Sequence, residues 1–166
     1  MIRSAARSDA AEMAATAIAA WREGFRGLVP EHVDPERSWS ARRIEERLER
    51  AGMEAGELLV AESGGVVRGL VLYGRSRDQG APSDEGEVIA LYVHPDKWRS
   101  GLGRGLVDGA LEHLREAGFR EAIVWTLAGS ERNLAFYASL GFERDGGSQR
   151  RPSFGSPLEV RFRISL

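Results

Sequence analysis

Val88-Ile89-Ala90-Leu91-Tyr92-Val93-His94-Pro95-Asp96-Lys97-Trp98-Arg99-Ser100-Gly101-Leu102-Gly103-Arg104-Gly105 is the most informative segment of this chain. Residues 88–93 form a near-continuous apolar run, as expected of a central strand covered on both faces. Pro95 ends it. Leu102, Leu106, Ala110, Leu111 and Leu114 recur at helical spacing, which predicts a helix over residues 102–117 with Gly118 just beyond it. A buried strand therefore runs into a glycine-bearing loop that opens a helix. The first amides of a helix lack intrahelical acceptors, and the helix dipole adds partial positive charge there. Glycines let an anion approach that backbone, so the segment reads as an anion site to which Arg99 or Arg104 adds charge. The alternative is that the glycines only permit tight helix–sheet packing, since glycine supplies 20 of 166 residues. A dinucleotide fingerprint does not fit. Gly101, Gly103 and Gly105 are not spaced G-x-G-x-x-G, and the turn over residues 95–100 is too long.

Working outward, Asp9 reads as a helix cap with Glu12 as its box partner, opening a helix over residues 10–23. Residues 28–37 read as a loop, and Ile44 and Leu48 mark the apolar stripe of a second helix over residues 40–50, with charges filling the rest. Residues 58–61 and 66–73 read as strands joined by a hairpin turn at Ser63-Gly64-Gly65. Residues 77–85 are a polar loop. After the central helix come a strand over residues 122–127, a helix over 131–140, a weak strand near Phe142, a loop over 146–157 and a strand over 158–164. This is a mixed α/β layer pattern with no repeat and no linker, read as one domain over residues 1–166.

Composition narrows the functions. Net charge is -2, which argues against a nucleic-acid binder that works by bulk electrostatics. There is no cysteine, so disulfides, thiolate metal sites and a cysteinyl thioester are excluded. His32, His94 and His113 show no ligand spacing, and no metal is expected. The alanine-rich N-terminal stretch carries Arg7, Asp9 and Glu12, so it is no membrane span, and a cytoplasmic location is the default expectation.

Three motifs in order give the chain its resemblance to the Gcn5-related N-acetyltransferase (GNAT) superfamily. Gly101 and Gly103 match the glycines of the family's Gln/Arg-x-x-Gly-x-Gly/Ala coenzyme motif, with Trp98 at the Gln/Arg position and Arg99 beside it. Phe136-Tyr137-Ala138-Ser139-Leu140-Gly141-Phe142 resembles the Phe-Tyr-x-x-x-Gly-Phe signature. Ser130 stands where the family often has asparagine, and Asn133 lies three residues on. The run from Trp21 to Pro30 is similar to one branch of the family. The resemblance implies an α/β fold with a mixed, mostly antiparallel central sheet, helices on both faces and the order β-α-α-β-β-β-α-β-α-β-β. It also implies transfer of an acetyl group from acetyl-CoA to an amine, by direct attack in a ternary complex and without metal.

On that resemblance the coenzyme contacts are expected from Leu91, Tyr92 and Val93, from the loop Trp98, Arg99, Ser100, Gly101, Leu102, Gly103 and Arg104, and from Ser130, Asn133 and Tyr137. Val93 offers backbone groups to the pantetheine arm in a splay between two central strands. Tyr137 is the candidate acid for the departing thiolate, or else a core tyrosine. An amine with a pKa near 10 must lose a proton before it attacks. Glu87, read at the start of its strand, is the candidate base; the alternatives are a solvated strand end for Glu87 and water as the base. Trp21, Phe25 and Arg26 on one side, and Arg150 and Arg151 in the late loop, are the candidate acceptor walls, an arginine pair being suited to a carboxylate. The expected partners are an acyl-CoA and an amine acceptor, with a homodimer allowed, and neither nucleic acid nor membrane. The second reading is a non-catalytic module that binds acyl-CoA as a sensor.

Overall fold

The computed structural model describes the whole chain, Met1–Leu166. Its elements are β1 (Ile2–Ser4), α1 (Ala10–Gly24), α2 (Glu36–Trp39), α3 (Ala41–Glu49), β2 (Glu57–Ser63), β3 (Val66–Arg75), β4 (Glu85–Val93), α4 (Leu102–Glu116), β5 (Glu121–Leu127), α5 (Glu131–Ser139), β6 (Glu143–Arg150) and β7 (Leu158–Ser165). The strands form one seven-stranded sheet in the order β1-β2-β3-β4-β5-β7-β6. Only the β4–β5 pair is parallel.

Two cores lie on the two sides of this sheet. On one, α4 buries Leu106, Val107, Ala110, Leu111 and Leu114 among Val71, Val88, Ala122 and Val124, with Tyr137 of α5 in the same cluster. Burying a leucine or valine side chain stabilises by about 1.5–3 kcal/mol, so this stripe holds α4 against the sheet. On the other, α1 buries Ala10, Met13, Ala14, Ala17, Ala20 and Trp21. Small residues at that spacing let α1 lie close to β3 and β4. Ile44 of α3 and Trp39 of α2 complete this second core.

Several boundaries differ from the expectation for local reasons. Glu36–Trp39 forms a short helix where a loop was expected, because Trp39 buries its ring against Tyr92 at 5.0 Å between centroids. β6 continues to Arg150, where the loop over residues 146–157 was expected. A register shift between Arg144 and Ser148 absorbs Gly146 and Gly147, after which residues 148–150 pair again with β7. Strand β4 starts at Glu85, earlier than expected, so Glu87 lies inside the ladder opposite Gly74.

Asp9 does not cap α1 through its side chain. Arg3 on β1 takes both Asp9 oxygens, at 2.7 and 2.9 Å, and the Ala6 amide donates to Asp9 Oδ2 at 2.7 Å. The Glu12 carboxylate instead accepts from the Val67 amide of β3 at 2.7 Å. Arg3 also donates to Glu62 of β2 at 2.9 Å, so one guanidinium ties β1 and β2 to the start of α1. Arg3 holds the Asp9 carboxyl below the usual carboxylate range, against the opposing effect of burial. A depressed carboxylate stabilises the fold above its unfolded pKa of about 3.9, and that stability is lost as pH falls through its folded value. Asp9→Asn is expected to cost about 1.5–3 kcal/mol at neutral pH, a drop in melting temperature of a few degrees. The difference from the parent should narrow as pH falls below about 3.9 and close only once pH has passed below the depressed folded value; equal melting temperatures at pH 7 by calorimetry would refute this role.

Candidate active site

The parallel pair β4–β5 holds together at only three positions, Glu85↔Glu121, Gly86↔Ala122 and Glu87↔Ile123. Beyond Glu87 the strands part. Ile89 is an extra residue in β4, since the ladder passes from Tyr73↔Val88 to Leu72↔Ala90. After this bulge the alternation of an antiparallel ladder decides which peptide groups are used. The His94 amide donates to the Arg68 carbonyl, so His94, Tyr92 and Ala90 spend their backbone groups on β3. Leu91 and Val93 direct theirs away from it. On β5 the Ala128 amide donates to Leu158, so even-numbered residues face β7 and Trp125 faces the gap.

The gap opens into a cleft of about 1040 Å³. That is at the top of the usual range for ligand sites, roughly 300–1,000 Å³. The N-terminus of α4 stands at one end. Its cap, Gly101, has φ 88 and no side chain to offer, and no hydrogen bond satisfies the amides of Leu102, Gly103 and Arg104. Arg99 sits at φ 60, a left-handed conformation that costs a non-glycine residue about 1–3 kcal/mol. A Cβ on Gly103 would meet the Phe136 ring at 3.3 Å and Val93 at 3.7 Å. Gly103 thus serves close packing of α4 on α5, while Gly101 serves the turn.

Loop side chains brace this end. Trp98 Nε1 donates to the Val93 carbonyl at 2.7 Å, and the Arg132 guanidinium lies over the Trp98 ring at 3.7 Å. The Val93 carbonyl is therefore engaged within the chain, and only its amide faces the gap. Ser100 Oγ donates to the Lys97 carbonyl, and Arg104 donates to the Ser139 carbonyl at the end of α5. Ser130 caps α5 by accepting from the Asn133 amide and does not line the cleft, whereas Asn133 does.

Tyr137 is buried among Phe136, Phe142 and Phe162, and its hydroxyl, which makes no protein hydrogen bond, opens to the cleft. Burial raises its pKa above the ordinary tyrosine value, so it is a proton carrier throughout the neutral range.

Glu87 is not a solvated strand end: it is 1% exposed. Nor does it line the cleft. The Arg77 amide and Nε donate to Oε2 at 2.9 and 3.1 Å, and Nη2 donates to Oε1 at 2.7 Å, so Arg77 stands between Glu87 and the cavity. Glu159 of β7 does line the cavity. Its Oε1 accepts from Arg151 at 2.7 Å and Gln149 at 3.1 Å, while Oε2 makes no protein hydrogen bond.

Of the expected acceptor walls, Phe25 and Arg151 line the cavity. Trp21 backs them from behind, edge-on to Phe25 at 4.9 Å and to Phe154 at 4.6 Å. Arg26 is exposed and pairs with Glu23, and Arg150 donates to the Ser156 carbonyl; neither reaches the cleft. Arg47, Arg77, Arg132 and Glu159 are lining residues that motif matching does not find. For Arg47 a signal exists in the sequence, since it falls three residues after Ile44 and one before Leu48, within the apolar stripe of α3. No group of three or more His, Cys, Asp or Glu side chains is arranged to hold a metal ion. No helix is long and apolar enough to cross a membrane.

Residues 18–142 match the sequence profile described as the Acetyltransferase (GNAT) family. An uncharacterised N-acetyltransferase of Bacillus subtilis, YuaI, is 25% identical over 143 residues, covering 86% of this chain and 80% of that one. A mycothiol acetyltransferase of Cellulomonas flavigena is 33% identical over 132 residues, 75% of this chain and 37% of that one. This chain spans between 19% and 37% of the length of the mycothiol acetyltransferases it matches. The crystal structure of ribosomal-protein-alanine N-acetyltransferase from Brucella melitensis superposes with a TM-score of 0.80 at 25% identity, covering 100% of this chain and 99% of that one.

The turn at Gly101 generates a test. Asparagine tolerates positive φ and a β-branched side chain does not. Coenzyme A should raise the melting temperature of the parent and of Gly101→Asn by mass action, and raise that of Gly101→Val far less. Equal shifts for all three proteins would mean that the α4 amides do not bind the coenzyme.

Proposed function

The chain belongs to the acetyltransferase (GNAT) family, and on that footing we propose that it moves an acetyl group from acetyl-CoA to an amine by direct attack in a ternary complex. The observation that carries the reading is the opening of β4 from β5 beside the unsatisfied N-terminus of α4. The amides of Leu102, Gly103 and Arg104 suit a pyrophosphate, because free N–H groups and the helix dipole point at one place. Arg99 and Lys97 line the same end and add charge. The backbone groups of Leu91 and the Val93 amide suit an amide-bearing arm laid along β4, extending the sheet where β5 is missing.

The reacting carbonyl then lies in the gap, between Tyr137 on the α5 side and Glu159 on the side of α1 and α2. Attack forms the C–N bond and breaks the C–S bond. Tyr137 gives its proton to the departing sulfur and is reprotonated, through solvent, by the second proton that the acylated nitrogen sheds. Glu159 Oε2 takes the proton that the ammonium must lose. Glu87, the candidate read from the sequence, has the task of holding Arg77 against the cavity wall. Tyr137 also separates this reading from that of a binding module, which has no use for a free hydroxyl at the sulfur.

The reaction is tested by release of free thiol from acetyl-CoA over an amine panel. With an acceptor in hand, Tyr137→Phe is expected to lower kcat roughly ten- to a thousand-fold with little change in coenzyme affinity, general acid catalysis being worth about 10²–10⁴. Unchanged kcat with chemistry rate-limiting would return Tyr137 to the core.

The proton acceptor is tested by pH–rate profiles of Glu159→Gln and Glu87→Gln. Glu159→Gln should lose kcat/KM at neutral pH and recover toward the amine pKa near 10, where solvent supplies the neutral nucleophile. Glu87→Gln should lose activity evenly across pH, through misplaced Arg77. The reverse pattern would restore Glu87 as the base.

A further inference from the structure

Seven basic side chains and one acidic side chain line the cleft of a protein whose net charge is -2. Lys97, Arg99, Arg104 and Arg132 belong to the glycine-loop end and to the first turn of α5, where phosphates are expected. The other three belong to the acceptor end. Two of these are neutralised within the chain: Arg77 by Glu87 at 2.7 Å and Arg151 by Glu159 at 2.7 Å. Arg47 has no carboxylate partner.

Arg47 is half-buried, and its guanidinium lies over the Trp39 ring with its carbon 4.6 Å from the centroid. It donates to the Ser38 carbonyl, which uses one of its five N–H groups. Burial lowers its pKa from the ordinary arginine value, and the like charges of Arg43 and Arg77 act in the same sense, against Tyr92 and Glu46. The stem is held by packing and the planar fork is pre-oriented, so little entropy remains to be lost on binding. A desolvated cation without a counter-charge is unfavourable unless a ligand supplies one. Phe25, Leu72, Ile89 and Phe154 line the same cavity as apolar walls.

We propose that the acceptor is an amino acid with an apolar side chain, whose carboxylate pairs with Arg47 while its amine faces Glu159. The inference rests on the acyl-transfer reading above and names its substrate class. The guanidinium fork matches a carboxylate in two parallel hydrogen bonds. The amide and the decarboxylated amine of the same amino acid leave that fork unpaired.

The experiment measures thiol release from acetyl-CoA with matched sets: leucine, methionine, valine and phenylalanine, their amides and their decarboxylated amines. The acids should be preferred by about 10- to 150-fold in kcat/KM, the range of a hydrogen bond to a charged group. Arg47→Gln should bring that ratio close to one, chiefly by raising KM for the acids, and Arg47→Lys should keep part of it. The coenzyme-induced rise in melting temperature checks that each variant is folded; if Arg47→Gln does not fold, Arg47→Lys decides through the same ratio. Amides or amines accepted as well as the acids, or a ratio unchanged in the variants, would overturn the inference and leave acyl transfer standing. Coenzyme binding without thiol release from any member would overturn the inference, and its absence over the wider amine panel as well would overturn acyl transfer.

Discussion

Two parallel strands that stop pairing halfway leave peptide groups without partners, and the rest of the site depends on that constraint. Buried N–H and C=O groups are costly when unpaired. Beyond Glu87, β4 keeps its ladder to β3 and loses β5, while β5 keeps its ladder to β7. The sheet remains intact on both outer sides, so the gap is held open by structure that the ligand need not build. The bulge at Ile89 sits where the strands separate and turns the following side chains of β4 over. Val88 therefore shares a core with Leu91 and Val93, while Ala90 and Tyr92 face the opposite core.

The two cores then provide the two sides of one reaction space. Helices α4 and α5 bring the unsatisfied amides and the Tyr137 hydroxyl from one side. Helices α1, α2 and α3 bring aromatic walls and Arg47 from the other. In the proposed reaction, neither side alone assembles acid, base and anion site. Trp98 joins loop to strand by its indole hydrogen bond to Val93, and Arg132 joins that loop to α5 by stacking on the same ring.

Charge is distributed with the same economy. Beside the cleft-lining Trp125, Arg161 of β7 pairs with Asp78 and Asp145, and Arg163 pairs with Glu85 and Asp145, so both are neutralised locally. Within the cleft the pairs Arg77–Glu87 and Arg151–Glu159 hold side chains in place at the wall. Cations without a protein partner remain where a phosphate or a carboxylate is expected. An overall charge near zero therefore coexists with a positive interior, which the composition does not reveal.

The sequence by itself determined the element order from α1 onward except for α2, the hairpin at Gly64-Gly65, the buried β4 and the glycine turn into α4, because these follow from periodicity and from residues within a few positions of one another. It also placed Tyr137 and Gly101 through motifs that need a fixed local geometry. It misplaced what depends on distant neighbours. Asp9 has the spacing of a cap, but its oxygens go to Arg3, which comes from an edge strand. Glu87 and the pair Arg150 and Arg151 have the chemistry of a site, yet only Arg151 reaches the cavity. Glu159 has no motif to mark it, and Arg47 has only its place in the apolar stripe of α3. Whether a charged side chain is neutralised or left free depends on which chain segments the fold brings opposite it, and these contacts arise between elements far apart in sequence, where local pattern carries no information.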